Sequence, residues 1–194
     1  MDFKKHLETA WNLTLKFIGP LILMTLVMSL VSIVTLGILA PVTMAGYMQA
    51  ILLMVREGRE PKTQDIFSQM RLFFPLLGFT IIVLIATMIG FFLLFFPGII
   101  VVLAVSFFCL YMVPLMIDKE LGLIEAVKES YAMSIEKEIL DQIVVVIIYF
   151  GVSGIGSSVF IGWLFTLPLA SIFLLSVYEE KTGQDSRNPR ITGG

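Results

Sequence analysis

The sequence predicts an all-α integral membrane protein: a six-helix transmembrane bundle of three helical hairpins, with amphipathic helices at the cytoplasmic interface. Composition, charge spacing and the positions of helix breakers predict it. Of 194 residues, 58% are hydrophobic and 14% are charged, against about 25% charged in an ordinary water-soluble domain. Mean hydropathy is +0.97. No charged residue falls in 17–55, 72–117 or 142–178, runs of 39, 46 and 37 residues. As single helices at about 1.5 Å per residue these runs would extend roughly 55 to 70 Å, while a bilayer's hydrocarbon core is about 30 Å thick. Each run must therefore double back.

Breakers near the midpoints mark the turns, because glycine relaxes the backbone and proline removes a helix donor. They are Gly37 and Pro41 in the first run, Pro97 and Gly98 in the second, and Gly151, Gly154, Gly156 and Gly162 in the third, with Pro168 following inside the last span. The expected spans are 17–36, 40–56, 72–95, 98–117, 140–159 and 162–179. The third hairpin is the tightest fit and admits a tilted or partly re-entrant segment. Pro20, Pro75 and Pro114 are expected to kink their spans.

A hairpin returns to the side it left, so segments 1–16, 56–71, 118–141 and 179–194 share one face. They hold all 13 Lys and Arg and all 15 Asp and Glu. Loops rich in Lys and Arg stay cytoplasmic, which puts both termini there. The first sixteen residues lack the cleavage site of a secretory signal, and Met1 is expected to be retained.

The chain reads as one membrane domain over 1–183 and a flexible polar tail over 184–194. Within the domain, units 1–61 and 118–183 flank a central hairpin, 62–117. HLETAWNLTLKF and EAVKESYAMSIEKE each precede a hairpin, and aligning Ala10-Trp11 with Ser130-Tyr131 brings Pro41 onto Pro168 with an insertion of about seven residues. An even number of crossings separates the units, so the repeat is parallel. In the first amphipathic segment Phe3, Leu7, Ala10, Trp11 and Thr14 form the apolar face, away from Lys4, Lys5, Glu8 and Asn12. In the second, Leu121, Ile124, Val127, Tyr131 and Ile135 lie opposite Glu125, Lys128, Glu129 and Glu136. Both are expected to lie in the interface, Trp11 and Tyr131 at the headgroups. A third candidate covers 63–74, capped by Asp65.

Chemistry is sparse. A net charge of −2 argues against nucleic acid as a partner. One Cys and one His exclude a disulfide framework and the usual zinc ligand sets. No ionisable residue lies inside a span, which weighs against ion-coupled transport. Thr43, Tyr47 and Gln49, Ser106, and Ser153, Ser157, Ser158 and Thr166 are the polar groups left; their ordinary role is bonding between helices, and the functional alternative is a narrow polar cavity at Tyr47 and Gln49, with Thr43. GVSGIGSS lacks the strand and acid of a dinucleotide site. Cys109 reads as packing, His6 as an interfacial polar residue, and Asp118, Glu120, Glu125 and Glu129 as solvated charge. No catalytic residue, cofactor or metal is expected.

FPGIIVVLAVSFFCLYMVPLMIDKELGLIEAVKESYAMS, with the apolar hairpin after it, resembles a family of uncharacterised prokaryotic polytopic membrane proteins. That family is similar to the membrane domain attached to some bacterial glycerophosphodiester phosphodiesterases. The matching features are Pro97-Gly98 opening a span, Asp118 ending it, Glu125-Ala126 and Ser130-Tyr131 in the interfacial helix, and Pro168. The resemblance implies six helices in the bacterial cytoplasmic (inner) membrane, and it implies no chemistry, because the soluble phosphodiesterase barrel is missing. The expected role is a non-enzymatic scaffold or accessory subunit that binds membrane lipids or a protein partner, a homo-oligomer included. An uncoupled transporter or channel for a lipid or small apolar solute is the alternative, and a lipid-headgroup enzyme the third.

Overall fold

The computed structural model describes residues 3–94, 96–135, 139–157 and 162–185; of Leu93, Leu94, Phe96, Ser157, Gln184 and Asp185 it describes the backbone alone. Every regular element among the described residues is helical. The helices are α1 (Phe3–Lys16), α2 (Ile18–Val34), α3 (Ala40–Glu57), α4 (Phe73–Leu94), α5 (Phe96–Phe108), α6 (Met112–Asp118), α7 (Leu123–Ile135), α8 (Ile139–Ser157) and α9 (Trp163–Asp185). Two 3₁₀ turns, Thr63–Phe67 and Met70–Leu72, lead into α4. The expected amphipathic segment at 63–74 is thus a pair of short turns, and Asp65 accepts the Lys62 N–H at 3.1 Å.

Four segments are long and apolar enough to cross a bilayer: Thr63–Phe92, Pro97–Asp118, Ile139–Gly156 and Trp163–Gly183. A fifth results if α1 and α2 count as one broken span, bent by 86°. This is a membrane-embedded, all-helical chain. Helix α3 falls outside that set for a physical reason. It is the inner post of the bundle, with ten of its 18 residues buried and with α2, α4, α6, α9 and both 3₁₀ turns packed on it. A helix shielded from lipid by other helices can carry Thr, Tyr and Gln, which lowers its hydropathy. The lipid-facing helices show the opposite pattern, exposing Leu23, Leu26 and Leu30 on α2 and Ile82, Ile85 and Met88 on α4.

The breaks follow the prolines. Proline at position i cannot bond the carbonyl at i−4. Pro20 leaves the carbonyl of Lys16 without its helical donor, and the chain bends at Phe17; Pro114 does the same to Leu110, and α5 gives way to α6 across 109–111. Pro20, Pro75 and Pro114 each sit third in their helix, so they start helices rather than kink their middles. Pro41 lies in the first turn of α3 behind a turn containing Gly37, Pro97 and Gly98 open α5, and Gly162 precedes α9, in line with the expected turns. Among the described prolines, Pro168 alone lies beyond the first turn of its helix, inside α9.

One expectation needs correction. Gly151, Gly154 and Gly156 are helical, in α8. At Gly156 a Cβ would fall on the Thr166 side chain, so this glycine serves the close approach of α8 and α9. Gln184 and Asp185, the first residues of the expected tail, belong to α9; 186–194, Glu136 and Ser158 lie outside the described residues.

The connecting segments pack cyclically. The 3₁₀ turn at Thr63–Phe67 lies on α3 and α7 lies on α6, each against the second arm of the preceding hairpin, while α1 lies on α9. Gly46 permits the first of these contacts, since a Cβ there would strike the backbone of Asp65 and Ile66.

Candidate functional site at the charged end of the bundle

Helix α9 ends its apolar run in Ser176-Val177-Tyr178-Glu179-Glu180-Lys181. On a helix of 3.6 residues per turn, six consecutive residues point in every direction, and here the polar ones reach five neighbouring helices between them, Ser176 and Glu180 sharing α1. Toward α3, Glu179 Oε1 accepts from Arg56 Nε at 2.8 Å. Toward α6, the Tyr178 hydroxyl donates to Asp118 Oδ2 at 2.8 Å. Arg56 closes the triangle by forking onto Asp118, with Nη2 to Oδ2 at 2.9 Å and Nη1 to Oδ1. Toward α1, His6 bonds Ser176 Oγ at 2.6 Å and Glu180 Oε2 at 2.5 Å. Toward α7 and α8, Lys181 Nζ donates to the Met133 carbonyl at 3.1 Å and to Gln142 Oε1 at 2.8 Å. Lys181 also sits 4.7 Å above the Tyr111 ring.

This knot sets one guanidinium against two carboxylates. The planar fork of Arg56 suits the task, since it engages Asp118 through two parallel bonds and keeps Nε for Glu179. The Asp118 side chain is 15% exposed and that of Arg56 35%, so the pair is screened less than a free surface ion pair. His6 is therefore buried between α1 and α9 and ties the two together. Trp11 packs edge-on to Phe165 at 5.6 Å, far down α9 from Glu180. The two contacts set α1 antiparallel along α9, alongside a membrane-length helix and not across its end.

A second polar cluster closes the break between α5 and α6. The Phe108 carbonyl accepts from Ser130 Oγ at 2.7 Å, the Phe107 carbonyl from Ser134 Oγ at 3.1 Å and Gln142 Nε2 at 3.3 Å, and the Tyr111 N–H reaches Ser130 Oγ at 3.2 Å. Gln142, fully buried, also accepts from the Tyr111 hydroxyl at 3.0 Å. Helix α7 thus supplies the hydrogen bonds that the interrupted helix lost. It does so with Ala126, Ser130 and Ser134 inward, while Ile124, Tyr131 and Ile135 are exposed. Helix α1 is built alike, with His6, Ala10 and Thr14 buried and Leu7, Trp11 and Leu15 exposed.

The other expected site residues are dispersed. Two positions along a helix differ by about 200°, and Tyr47 and Gln49 accordingly face apart. The Tyr47 hydroxyl is buried and accepts from Thr25 Oγ1 at 3.3 Å. Gln49 Oε1 accepts from Ser68 Oγ at 2.8 Å and from Gln69 Nε2, and Thr43 Oγ1 bonds the carbonyls of Leu39 and Ala40 in its own helix. The three do not meet around one cavity. Thr166 Oγ1 bonds the Gly162 carbonyl at 3.2 Å, whereas the buried Ser153 Oγ has no hydrogen-bond partner.

The acidic residues grouped near Asp118 also separate. Glu120 pairs with Arg71 at 3.0 Å, Glu129 with Lys119 at 3.1 Å, and Glu125 caps the Gly122 N–H at 3.4 Å. Cys109 is half-buried at the α5–α6 break. Among the described residues, no group of three His, Cys, Asp or Glu is placed to hold a metal ion. The sequence reading missed Arg56, Tyr178, Glu179, Lys181 and Gln142; the one signal for them was a dense polar run closing an apolar span. Compared with protein-family models, curated proteins and solved structures, the chain matches none.

Proposed function

We propose that this chain is a non-enzymatic multi-pass membrane protein, a scaffold or accessory subunit that binds membrane lipid or a partner protein. The supporting observation is the α9 hub, which ties α1, α3, α6, α7 and α8 through paired polar groups at one end of the bundle. A knot of that kind fixes the arms relative to one another, as a platform requires. The rigid frame presents bulky apolar stripes outward, Leu7, Trp11 and Leu15 on α1 and Tyr131 and Ile135 on α7. Such stripes suit lipid or an apolar partner surface.

The finer architecture belongs to the same reading: three hairpins giving six helices in the bacterial inner membrane, both termini and the charged segments around Arg56, Asp118 and Lys181 cytoplasmic, and kinship with the prokaryotic family named above. The parallel repeat has support in burial. Aligning Ala10-Trp11 with Ser130-Tyr131 also pairs buried His6 with Ala126, buried Thr14 with Ser134, and exposed Leu15 with Ile135.

Native mass spectrometry of gently extracted protein tests the role. A scaffold retains lipid or a partner protein in fixed stoichiometry; bare protein that hydrolyses lipid headgroups in vesicles would overturn the proposal. The transporter reading draws on a groove of about 620 Å³ between α5 and α8, lined by Leu103, Phe107, Ile147 and Phe150. Lipid scrambling by reconstituted protein, lost on Leu103→Trp, would favour it.

A further inference from the structure

The turn joining α2 to α3 is built unlike a loop that meets water. Around it Ile33, Val34, Leu36 and Ile38 are all more than half exposed, Leu36 by 91%. Leu36 takes φ +51 beside Gly37 at +83. A turn in water would put Asn, Asp or Gly at such a φ, because a bulky side chain is disfavoured there. The backbone is sealed as well. All six N–H groups from Thr35 to Ala40 have partners within the turn or the adjoining end of α2: Thr35 on Val31 O, Leu36 on Ile33 O, Gly37 on Ser32 O, Ile38 on Thr35 O, Leu39 on Thr35 Oγ1 and Ala40 on Gly37 O. Pro41, next in line, has no N–H to satisfy. Nearby hydroxyls are turned inward too, Ser29 onto the Thr25 carbonyl and Ser32 onto that of Met28. Water would satisfy these groups without help, whereas hydrocarbon demands an internal partner for each.

Depth points the same way. Arg56 and Asp118 are bonded to each other and share one level. From that level α3 reaches back to Ala40 over about 24 Å, while the α5–α6 pair reaches Pro97 over about 32 Å, at about 1.5 Å per residue. Tilt only shortens these reaches, and the hydrocarbon core is about 30 Å thick. We infer that the α2–α3 turn ends inside the far leaflet, a re-entrant hairpin whose tip is covered by lipid acyl chains. This rests on the membrane embedding of the chain, not on its role as a scaffold, and it replaces the first two of the six crossings.

Cys109 is the only cysteine, so a Cys109→Ala background allows nitroxides to be placed through Leu36→Cys and, as reference, through Met88→Cys on α4. In vesicles of phosphatidylethanolamine and phosphatidylglycerol, collision rates with oxygen and with a water-soluble nickel chelate are read by power saturation. At position 36 oxygen should dominate several-fold, as at 88. Nickel dominance at 36 alone would put the turn in water, and protection from both reagents would mean a protein cover, a second copy included; either overturns the inference. Nickel dominance at both positions would remove the membrane embedding itself. Ile38→Cys repeats the measurement should Leu36→Cys not fold. Leu36→Asn, which tolerates the positive φ, should lower the yield of inserted protein; an unchanged or higher yield speaks against a lipid-covered tip.

Discussion

Single residues carry much of this fold because small side chains decide how closely its parts approach. Gly46 is the plainest case. Gly46→Ala must push the Thr63–Phe67 turn off α3, and overpacking of this kind costs about 1–3 kcal/mol; a lower midpoint of thermal unfolding in detergent measures it, with Ala45→Gly as the control for helix propensity. Arg56 is the second case. Arg56→Leu leaves Asp118 and Glu179 facing each other without their cation. Since the knot is partly exposed, the expected loss is about 1–3 kcal/mol, between the limits for surface and buried pairs. An Arg56–Asp118 double-mutant cycle measures the coupling. The sequence placed Asp118 correctly at the end of a span. It could not show that the partner stands 62 positions away, because like-looking charges close every span and only tertiary packing selects among them.

At the scale of elements, the turns at Gly37 and at Pro97-Gly98 were legible, whereas Gly151, Gly154 and Gly156, expected to turn the chain, are helical, and faces were not legible. Gly37 with Pro41, and Pro97 with Gly98, marked hairpin turns because the chemistry of a turn is local. The amphipathic helices were read as lying in the interface, Trp11 and Tyr131 at the headgroups, and that reading did not say which side chains meet the protein. A rule for water would send the bulky apolar ones inward. In lipid the rule inverts, since solvent is as apolar as leucine and helices associate through small and hydroxyl-bearing residues. Hence Ala10, Ala126, Ser130 and Ser134 face the protein, while Trp11 and Tyr131 face out. The break between α5 and α6 offers a test. Pro114→Ala restores the N–H that Leu110 lacks and should slow amide exchange across 109–114. Ser130→Ala should speed it and cost about 1–3 kcal/mol, the penalty for a buried carbonyl left without a donor. At the other end of the bundle, His6→Ala should loosen α1 from α9, seen as faster exchange over residues 7–14 with α4 unchanged.

For the whole molecule, charge segregation was the most informative property of the sequence, because the length of an uncharged run against the thickness of a bilayer is a constraint no local packing can evade. It pointed to a membrane-embedded helical chain, and the structure has four helices long and apolar enough to cross a bilayer, or five with the bent α1–α2 pair. It did not give their depth, which depends on where the charged ends are held, nor the cyclic seating of α1, the Thr63–Phe67 turn and α7. Cysteines at Lys4 and Lys119 in the Cys109→Ala background should react with a membrane-impermeant maleimide from the same side in oriented vesicles. Reaction from opposite sides would dismantle the hairpin layout.

The six residues from Ser176 to Lys181 lie downstream of every helix they fasten. During synthesis His6 and Arg56 therefore emerge long before Glu180 and Glu179, and the early hairpins wait in the bilayer with polar ends unclaimed until α9 arrives. Assembly of this chain finishes like a drawstring pulled from one end. A ribosome that stalled before Ser176 would release a protein with nearly all of its helices and none of its closure, a form that quality-control proteases could tell from the finished one by its loose amino-terminal helix.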